Sequence, residues 1–337
     1  MKPEDVLHNW DVPSLQDATD YTIKRASSGL LNKTYIIRAG TGGEELYILQ
    51  SVHPAVSMDG AMNNYFHVTQ FLKEKGLPTQ ILLKTREGNL WIEDVEQNWR
   101  WRLMIGVEGE FYNKTDNPHL AEEAGKLLGQ FHTALSDYPR KLEIGRTSFH
   151  NERELGKLNQ FKEQLMADPD EFIRNTTELL LSEMPRLSLP KDLPKIIVHA
   201  DPKVSNFLFT KDDKGICLID FDTLQHLSPL YDLGDGIRSW CGQSEDDPNN
   251  TFNTEKYQAF MKGYLATSKG LLSEREQALI PQAVQGIILG LTARFLNDYI
   301  EDSYFGWDET KYNSRKAHNK ARAMGQISLY QTALKSI

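Results

Sequence analysis

The amino-acid sequence predicts an α+β protein in which a small antiparallel sheet precedes a larger, mainly helical region. Strand-like segments separated by turn signals fill the first third of the 337-residue chain. After Gly106 the apolar residues recur at the spacing of amphipathic helices instead. This change of period predicts two lobes, an N-terminal lobe at 1–105 and a C-terminal lobe at 106–337.

The N-terminal lobe is predicted to be a sheet with one helix. Hairpin turns are expected at 39–43, which is rich in glycine, and at 86–89, which reads Arg-Glu-Gly-Asn. A helical period at 60–75 ends at Gly76 and Pro78. The predicted strands of this lobe occupy 21–25, 34–38, 45–50, 81–85, 90–94 and 99–105.

The C-terminal lobe is predicted to be helical around a short polar loop. Helical periods occupy 119–136, 151–166, 169–184 and the region from 254 to the end. A short apolar strand at 196–198 leads into the polar loop, which is followed by a β-pair at 206–210 and 215–220. A sheet lobe followed by a helical lobe with such a loop is the element order of protein-kinase-like enzymes, so a bilobal fold of that type is expected.

Composition and charge exclude several classes of protein. The net charge is −9 and no basic stripe is present, which argues against a nucleic-acid partner. Two cysteines, Cys217 and Cys241, form neither a disulfide framework nor a CxxC metal site. The first residues carry acids and a proline rather than an apolar run, and no segment is long and apolar enough for a membrane span. We therefore expect a cytoplasmic protein without a membrane partner, whose oligomeric state stays open.

The polar loop and the β-pair carry the residues that indicate chemistry. Transfer of a phosphoryl group from ATP requires a carboxylate beside the attacking hydroxyl, oxygen ligands for Mg²⁺, and a cation near the transferred group. Asp201 is the candidate base and Lys203 the candidate cation near the γ-phosphate. Asn206 and Asp220 are the candidate Mg²⁺ ligands. Each residue alone would be an ordinary turn or cap residue, but their joint order and spacing match a kinase catalytic loop.

The His199-x-Asp201-x₄-Asn206 element and the Ile-Asp-Phe-Asp run at 219–222 resemble the aminoglycoside phosphotransferase and choline kinase superfamily. Longer runs resemble the bacterial N-acetylhexosamine 1-kinase family in particular. They include Gly29-x-x-Asn32-x-Thr34-Tyr35, the run at 47–50, Gly234-Asp235-x-Ile237-Arg238 and Arg294-Phe295-Leu296-x-Asp298-Tyr299.

The resemblance implies an enzyme that binds ATP between two lobes and phosphorylates the anomeric hydroxyl of a sugar, N-acetylglucosamine or N-acetylgalactosamine. It also implies that Arg294 and Tyr304 contact this acceptor. The residue-level alternative for Arg294 is an ion pair with Asp298, four residues later on the same helix. Leu30 stands where the family carries a histidine near the sugar, so acceptor selectivity stays open.

The ATP-binding candidates are Ser28, Gly29, Asn32 and Gln50. Ser28 and Gly29 lie in a turn that would cover the phosphates. Gln50 ends the strand on which kinases usually carry a lysine that is paired with a helix glutamate. The following helix offers asparagines instead, so amide hydrogen bonds are expected to replace that ion pair.

Two alternatives remain at this stage. The acceptor could instead be an aminoglycoside, choline or another amino alcohol, although Arg294 in the acceptor pocket would argue against a cation. A non-catalytic pseudokinase that binds nucleotide or sugar is the second alternative, since the lysine–glutamate pair is absent. Retention of Asp201, Lys203, Asn206 and Asp220 favours an enzyme.

Overall fold

The computed structural model describes residues 1–17, 19–26, 32–54, 58–144, 150–268 and 270–337. It confirms the predicted fold class, with a small antiparallel sheet and a larger helical region. The chain divides into two compact units. The first contains Met1–Glu110, Tyr138–Gly145 and Ile216–Leu224, and the second contains Phe111–Asp137, Arg146–Gly215 and Gln225–Ile337.

The sheet belongs to the first unit. Its strand order is β1-β2-β3-β6-β4, with β5 also paired to β6, and all neighbours are antiparallel. The elements of this part of the chain are α1 (Pro3–Leu7), β1 (Tyr21–Arg25), β2 (Lys33–Ala39), β3 (Glu45–Val52), α2 (Asp59–Glu74), β4 (Ile81–Leu82), β5 (Ile92–Asp94) and β6 (Trp99–Ile105). The predicted positions of β1 and β6 are confirmed to the residue, whereas β4 is shorter than predicted.

Both faces of β6 are buried, which the sequence did not indicate. Trp101 and Leu103 point into a hydrophobic core that also contains Trp10 from the N-terminal segment. Arg102 and Met104 alternate with them on the other face and are only 1% exposed. That face packs against α2, so the arginine side lies in the protein interior rather than in solvent.

The rest of the chain is mainly helical. Its elements are α3 (Pro118–Leu135), α4 (His150–Gln160), α5 (Lys162–Met166), α6 (Glu171–Glu183), β7 (Ile196–Val198), β8 (Phe207–Phe209), β9 (Gly215–Leu218), β10 (Gln225–Leu227), α7 (Leu230–Cys241), α8 (Thr254–Thr267), α9 (Glu274–Ala278), α10 (Ile280–Glu301) and α11 (Arg315–Ala333). The single helix predicted at 151–166 is wrong, because the helical backbone is interrupted at Phe161 and α5 begins after it. None of the helices in the described ranges could cross a membrane.

Glycines allow α3 and α8 to approach each other closely in the second unit. A Cβ atom on Gly125 would lie 2.0 Å from the carbonyl oxygen of Phe260. A Cβ atom on Gly263 would lie 1.9 Å from the carbonyl oxygen of Glu122. Because real atoms do not approach so closely, these positions require glycine.

Candidate active site

Helix α7 fixes the loop that follows β7. The carboxylate of Asp232 accepts hydrogen bonds from the backbone N–H groups of His199 and Ala200, each at 2.7 Å. Ala200 has a φ of 64°, a left-handed conformation that costs about 1–2 kcal/mol for a residue with a side chain. Asp232 is fully buried, and its Oδ2 also lies 2.9 Å from Nε2 of His132. The carboxylate therefore stabilises a strained backbone immediately before Asp201.

Three of the predicted site residues meet in this loop. The ammonium of Lys203 lies 2.6 Å from Oδ2 of Asp201. The amide nitrogen of Asn206 donates to the backbone oxygen of Asp201 at 2.8 Å and to its Oδ2 at 3.1 Å. With its nitrogen committed to Asp201, the Asn206 side chain presents its oxygen for another partner. The loop thus holds one carboxylate, one cation and one amide oxygen in a defined arrangement.

A second carboxylate lies near Asp201 in the same unit. Burial raises the pKa of Asp235 above its ordinary value. The Arg238 guanidinium lowers this pKa, whereas the negative charges of Asp201 and Asp232 raise it further. Nε of Arg238 is 2.9 Å from Oδ1 of Asp235. Arg238 therefore partly compensates the negative charges of Asp235 and Asp201.

In the first unit, Asp220 begins a tight turn. Its backbone is left-handed, with a φ of 71°, and a 3₁₀ turn at Phe221–Thr223 follows directly. The ring of Phe221 packs edge-on against Tyr65 of α2, with a centroid distance of 5.6 Å. Such a left-handed residue is uncommon outside glycine and often marks a functional position.

Asn32 and Gln50 lie in one hydrogen-bonded cluster beside this turn. Gln50 is directly opposite Arg102 in the β3–β6 pairing, and its Oε1 accepts hydrogen bonds from Nε and NH2 of Arg102 at 2.9 and 2.6 Å. Arg102 also donates to both carboxylate oxygens of Asp222, at 2.6 and 2.9 Å. The amide of Asn32 donates to Asp222 at 3.2 Å. Whether Asn32 and Gln50 contact ATP stays a prediction, but their side chains are already bonded within the protein.

Sequence reasoning missed Arg102. Its position in Trp-Arg-Trp-Arg-Leu-Met-Ile resembles the polar side of an exposed edge strand. The signal that would have found it is Met104, an apolar residue on the arginine side of the strand. An amphipathic helix such as α2 also needs an apolar face of the sheet to cover.

Arg294 and Tyr304 come together in the second unit. The Arg294 guanidinium lies 5.7 Å from the ring centroid of Tyr304 and 5.3 Å from that of Phe305, both within cation–π range. The alternative ion pair with Asp298 does not form. Asp298 instead accepts hydrogen bonds from the backbone N–H groups of residues 303–305. Across the described ranges Arg294 forms no ion pair with a carboxylate.

The remaining two ATP-binding candidates, Ser28 and Gly29, lie outside the described residues, as does Leu30. The described part of the chain contains no group of three His, Cys, Asp or Glu side chains arranged to hold a metal ion. Mg²⁺ that is bound together with a nucleotide is usually held by one or two protein oxygens and by phosphates. The oxygens of Asn206 and Asp220 are donors of the required kind.

Comparison with known proteins identifies kinases among the relatives of this chain. A homoserine kinase of Rhodopseudomonas palustris is 30% identical over 302 residues, covering 88% of this chain and 82% of the relative. A homoserine kinase of Methylobacterium nodulans is 28% identical over 178 residues, covering 52% of this chain and 51% of the relative, so that match spans about half of either protein.

Solved structures share the fold. An amicoumacin kinase in complex with AMP-PNP, Ca²⁺ and Ami has a TM-score of 0.64 at 16% identity, covering 96% of this chain and 91% of the other. A choline kinase of Cryptosporidium parvum has a TM-score of 0.65 at 12% identity, covering 98% and 95%. Residues 22–264 match the family described as the phosphotransferase enzyme family, APH. The chain belongs to this family and is a small-molecule phosphotransferase whose acceptor is a hydroxyl group.

Proposed function

We propose that this protein transfers the γ-phosphate of ATP, with Mg²⁺, to a hydroxyl of a sugar, with the anomeric hydroxyl of an N-acetylhexosamine as the first candidate. The observation that carries the proposal is the grouping of Asp201, Lys203 and Asn206 in one loop. In this proposal residues 1–105 bind the nucleotide, and residues 106–337 carry the catalytic loop and the acceptor site.

Each residue of the loop has a distinct task in the proposed reaction. Asp201 orients the acceptor hydroxyl and accepts its proton as the oxygen attacks phosphorus. Lys203 is paired with Asp201, its side chain is 43% exposed, and its ammonium would meet the negative charge of the transferred group. Asn206 and Asp220 would hold Mg²⁺, which supplies charge neutralisation of the phosphates when bound.

ATP and a divalent cation are supported by two observations. The loop and turn offer hard oxygen donors rather than sulfur or imidazole, and Mg²⁺ prefers such donors. The amicoumacin kinase of similar fold is described with an ATP analogue and Ca²⁺. The choice of Mg²⁺ over other divalent cations belongs to the proposal.

The environment of Arg294 favours a neutral or acidic acceptor over a cationic one. An arginine without a carboxylate partner among the described residues would repel a quaternary ammonium group. The exposed Tyr304 ring, together with Phe305, would suit a sugar ring lying against it. The motif runs around Asn32 and Arg294 support the N-acetylhexosamine acceptor.

A second candidate acceptor is homoserine or a similar amino alcohol. It is favoured because the relatives of this chain are named homoserine kinases. A carboxylate on the acceptor would supply the anion that Arg294 lacks. An aminoglycoside or choline is the less favoured version of the same class.

The test is ADP release with ATP and Mg²⁺ across N-acetylglucosamine, N-acetylgalactosamine, glucosamine, homoserine, choline and kanamycin. Selective turnover of the N-acetylhexosamines, with an acid-labile sugar 1-phosphate as product, is expected. Turnover of homoserine alone would overturn the sugar acceptor and establish the second candidate. Turnover of choline or kanamycin alone would contradict the role given to Arg294.

Asp201→Asn tests the mechanism. We expect kcat to fall by about 10²–10⁴, the usual contribution of a general base, while ATP binding is retained. Asp212→Asn is the matched control, because Asp212 is an exposed turn residue of the same region and its loss should leave kcat unchanged. Turnover by Asp201→Asn at the wild-type rate would refute the assignment of the base.

A further inference from the structure

Arg102 is a buried cation near the turn that carries Asp220, and the sequence pattern did not assign it a role. Kinases usually hold the nucleotide phosphates with a lysine on the third strand and a glutamate on the following helix. Here that strand carries Gln50, and the guanidinium of Arg102 lies on the neighbouring strand directly opposite. Thr34 continues the same row on β2, and its hydroxyl accepts a hydrogen bond from Gln50 at 3.1 Å.

All five N–H donors of Arg102 are used inside the protein. Nε and one N–H of NH2 donate to Oε1 of Gln50. The other N–H of NH2 and one N–H of NH1 donate to Asp222. The last donor faces the sulfur of Met62 at 3.6 Å. Because no donor remains, Arg102 is not arranged to contact a phosphate. Its charge is paired with the carboxylate of Asp222, two residues after Asp220.

The carboxylate of Asp222 is committed in the same way. One of its oxygens accepts from Arg102, and the other accepts from Arg102 and from Asn32. The bidentate pairing of a guanidinium with a carboxylate fixes orientation as well as distance. Asp222 is therefore a part of the support under the Asp220 turn rather than a second metal ligand.

Among the described residues of this cluster, the hydroxyl of Tyr65 lacks a hydrogen-bond partner. Its ring packs under the Arg102 guanidinium, at 4.6 Å, and against Phe221. Its hydroxyl is buried and has no hydrogen-bond partner among the described residues. Burial raises the pKa of Tyr65, the Arg102 charge lowers it, and the charges of Asp222 and Asp220 raise it further. The pKa is raised overall, so the hydroxyl stays protonated and remains a hydrogen-bond donor. A buried donor without a partner is costly, and this one belongs to a ring that packs against Phe221, the residue after Asp220.

We propose that Arg102, Asp222 and Tyr65 together replace the lysine–glutamate pair of other kinases. The Arg102–Asp222 pair acts as a positioning device that fixes the turn carrying Asp220. The Tyr65 hydroxyl is the donor reserved for the bound metal–nucleotide. The inference rests on the proposed use of ATP and a divalent cation, but not on any particular acceptor.

The first test is Tyr65→Phe, which removes only the unpartnered hydroxyl. Without ligand, the variant is expected to unfold at the wild-type temperature or slightly above it, because no protein hydrogen bond is lost. Calorimetric titration with AMP-PNP and Mg²⁺, without acceptor, should show Kd raised about tenfold, the loss of roughly one hydrogen bond to a charged partner. The control is Tyr47→Phe, whose hydroxyl donates to Glu45 on the same sheet and should leave Kd unchanged. A wild-type Kd for Tyr65→Phe would overturn the role of the hydroxyl.

The second test removes the ion pair. Arg102→Met alone leaves a buried carboxylate without its partner and can fail to fold, so the double variant Arg102→Met/Asp222→Asn is measured as well. We expect the folded double variant to bind AMP-PNP with Mg²⁺ at least about tenfold more weakly. Arg100→Met is the control, since Arg100 is two residues earlier on β6 and pairs with Asp59 and Glu93 instead. A role in folding alone would lower the unfolding temperature and leave Kd unchanged, and that result would overturn the proposal.

These tests separate the inference from the proposed function. Wild-type protein that binds AMP-PNP with Mg²⁺ but phosphorylates no acceptor would contradict the proposed function and leave the role of Tyr65 and Arg102 standing. Normal turnover together with unchanged Kd in both variants would contradict only the inference. Wild-type protein that fails to bind AMP-PNP with Mg²⁺ would contradict both.

Discussion

Asp232→Asn is the substitution that most directly tests how α7 controls the catalytic loop. The Asp232 carboxylate accepts from two backbone N–H groups that come just before Asp201, and from His132. An asparagine has nearly the same shape but only one acceptor oxygen. Its NH₂ group would face at least one of those backbone N–H donors. The NH₂ group and that N–H group would then both be buried without an acceptor.

The structure sets the expected magnitude. Each unsatisfied buried donor costs about 1–3 kcal/mol, so two of them cost about 2–6 kcal/mol. For units of about 150–250 residues each kcal/mol lowers Tm by roughly 2–4 °C, so we expect a fall of roughly 4–24 °C. The left-handed backbone of Ala200 also loses the group that stabilises it. Relaxation of this residue would move the Asp201 carboxylate, and a shift of about 1 Å at a reacting group costs about 10²-fold in rate.

Scanning calorimetry and steady-state kinetics measure these two effects separately. The comparison variant is Asp213→Asn, since Asp213 accepts hydrogen bonds from the side chains of Tyr112 and Asn117, both of which lie outside the catalytic loop. We expect Asp213→Asn to lower Tm with little change in kcat, and Asp232→Asn to lower both. If Asp232→Asn kept the wild-type kcat at a temperature where it is folded, the catalytic loop would not depend on this carboxylate.

Two further predictions concern stability. Burial alone would raise the pKa of Asp298, but the hydrogen bonds from the N–H groups of residues 303–305 outweigh it and lower the pKa. The stabilisation of the fold by the ionised Asp298 is therefore present above about pH 4 and is lost as the pH falls through the lowered pKa. Asp298→Asn should therefore lower Tm at pH 7 by roughly 5–10 °C (about 2–3 kcal/mol), with a difference that shrinks in acid, whereas Glu301→Gln at the end of the same helix should have little effect. Gly263→Ala should destabilise by about 1–3 kcal/mol, because its Cβ atom would meet the carbonyl of the facing helix at 1.9 Å. Gly156→Ala, in a helix with nothing within 4 Å, should instead stabilise by about 0.5–1 kcal/mol, and equal effects of the two alanines on denaturant unfolding would contradict the close crossing.

Much of the fold followed from the sequence because its signals are local. Alternation and turn residues located β1 and β6 to the residue. The helix α1 was not predicted, because it has only five residues and its helical periodicity is too short to recognise. Its Val6 and Leu7 pack in the core beneath the sheet, so tertiary contact rather than local propensity establishes this segment.

The catalytic loop was predictable for a similar reason. Asp201, Lys203 and Asn206 lie within six residues, so their spacing alone brings them together. Arg102 could not be placed in the same way, because its partner Asp222 is 120 positions away in sequence. Only the packing of α2 against the arginine face of β6 turns a surface-like residue into a buried cation.

The loss of the strand lysine at Gln50 and the burial of Arg102 are best understood as one change. A buried cation is tolerated only if its charge and its donors are matched, since unpaired charges are costly to remove from water. Arg102 makes two hydrogen bonds to Gln50 and two to Asp222, which is more than the three donors of a lysine ammonium could supply. Gln50 is therefore the acceptor that makes Arg102 possible, and a glutamine at that position does not indicate an inactive kinase. By the same reasoning, restoring lysine at position 50 in the wild-type background would place two cations side by side and should weaken the support of Asp220 rather than repair it.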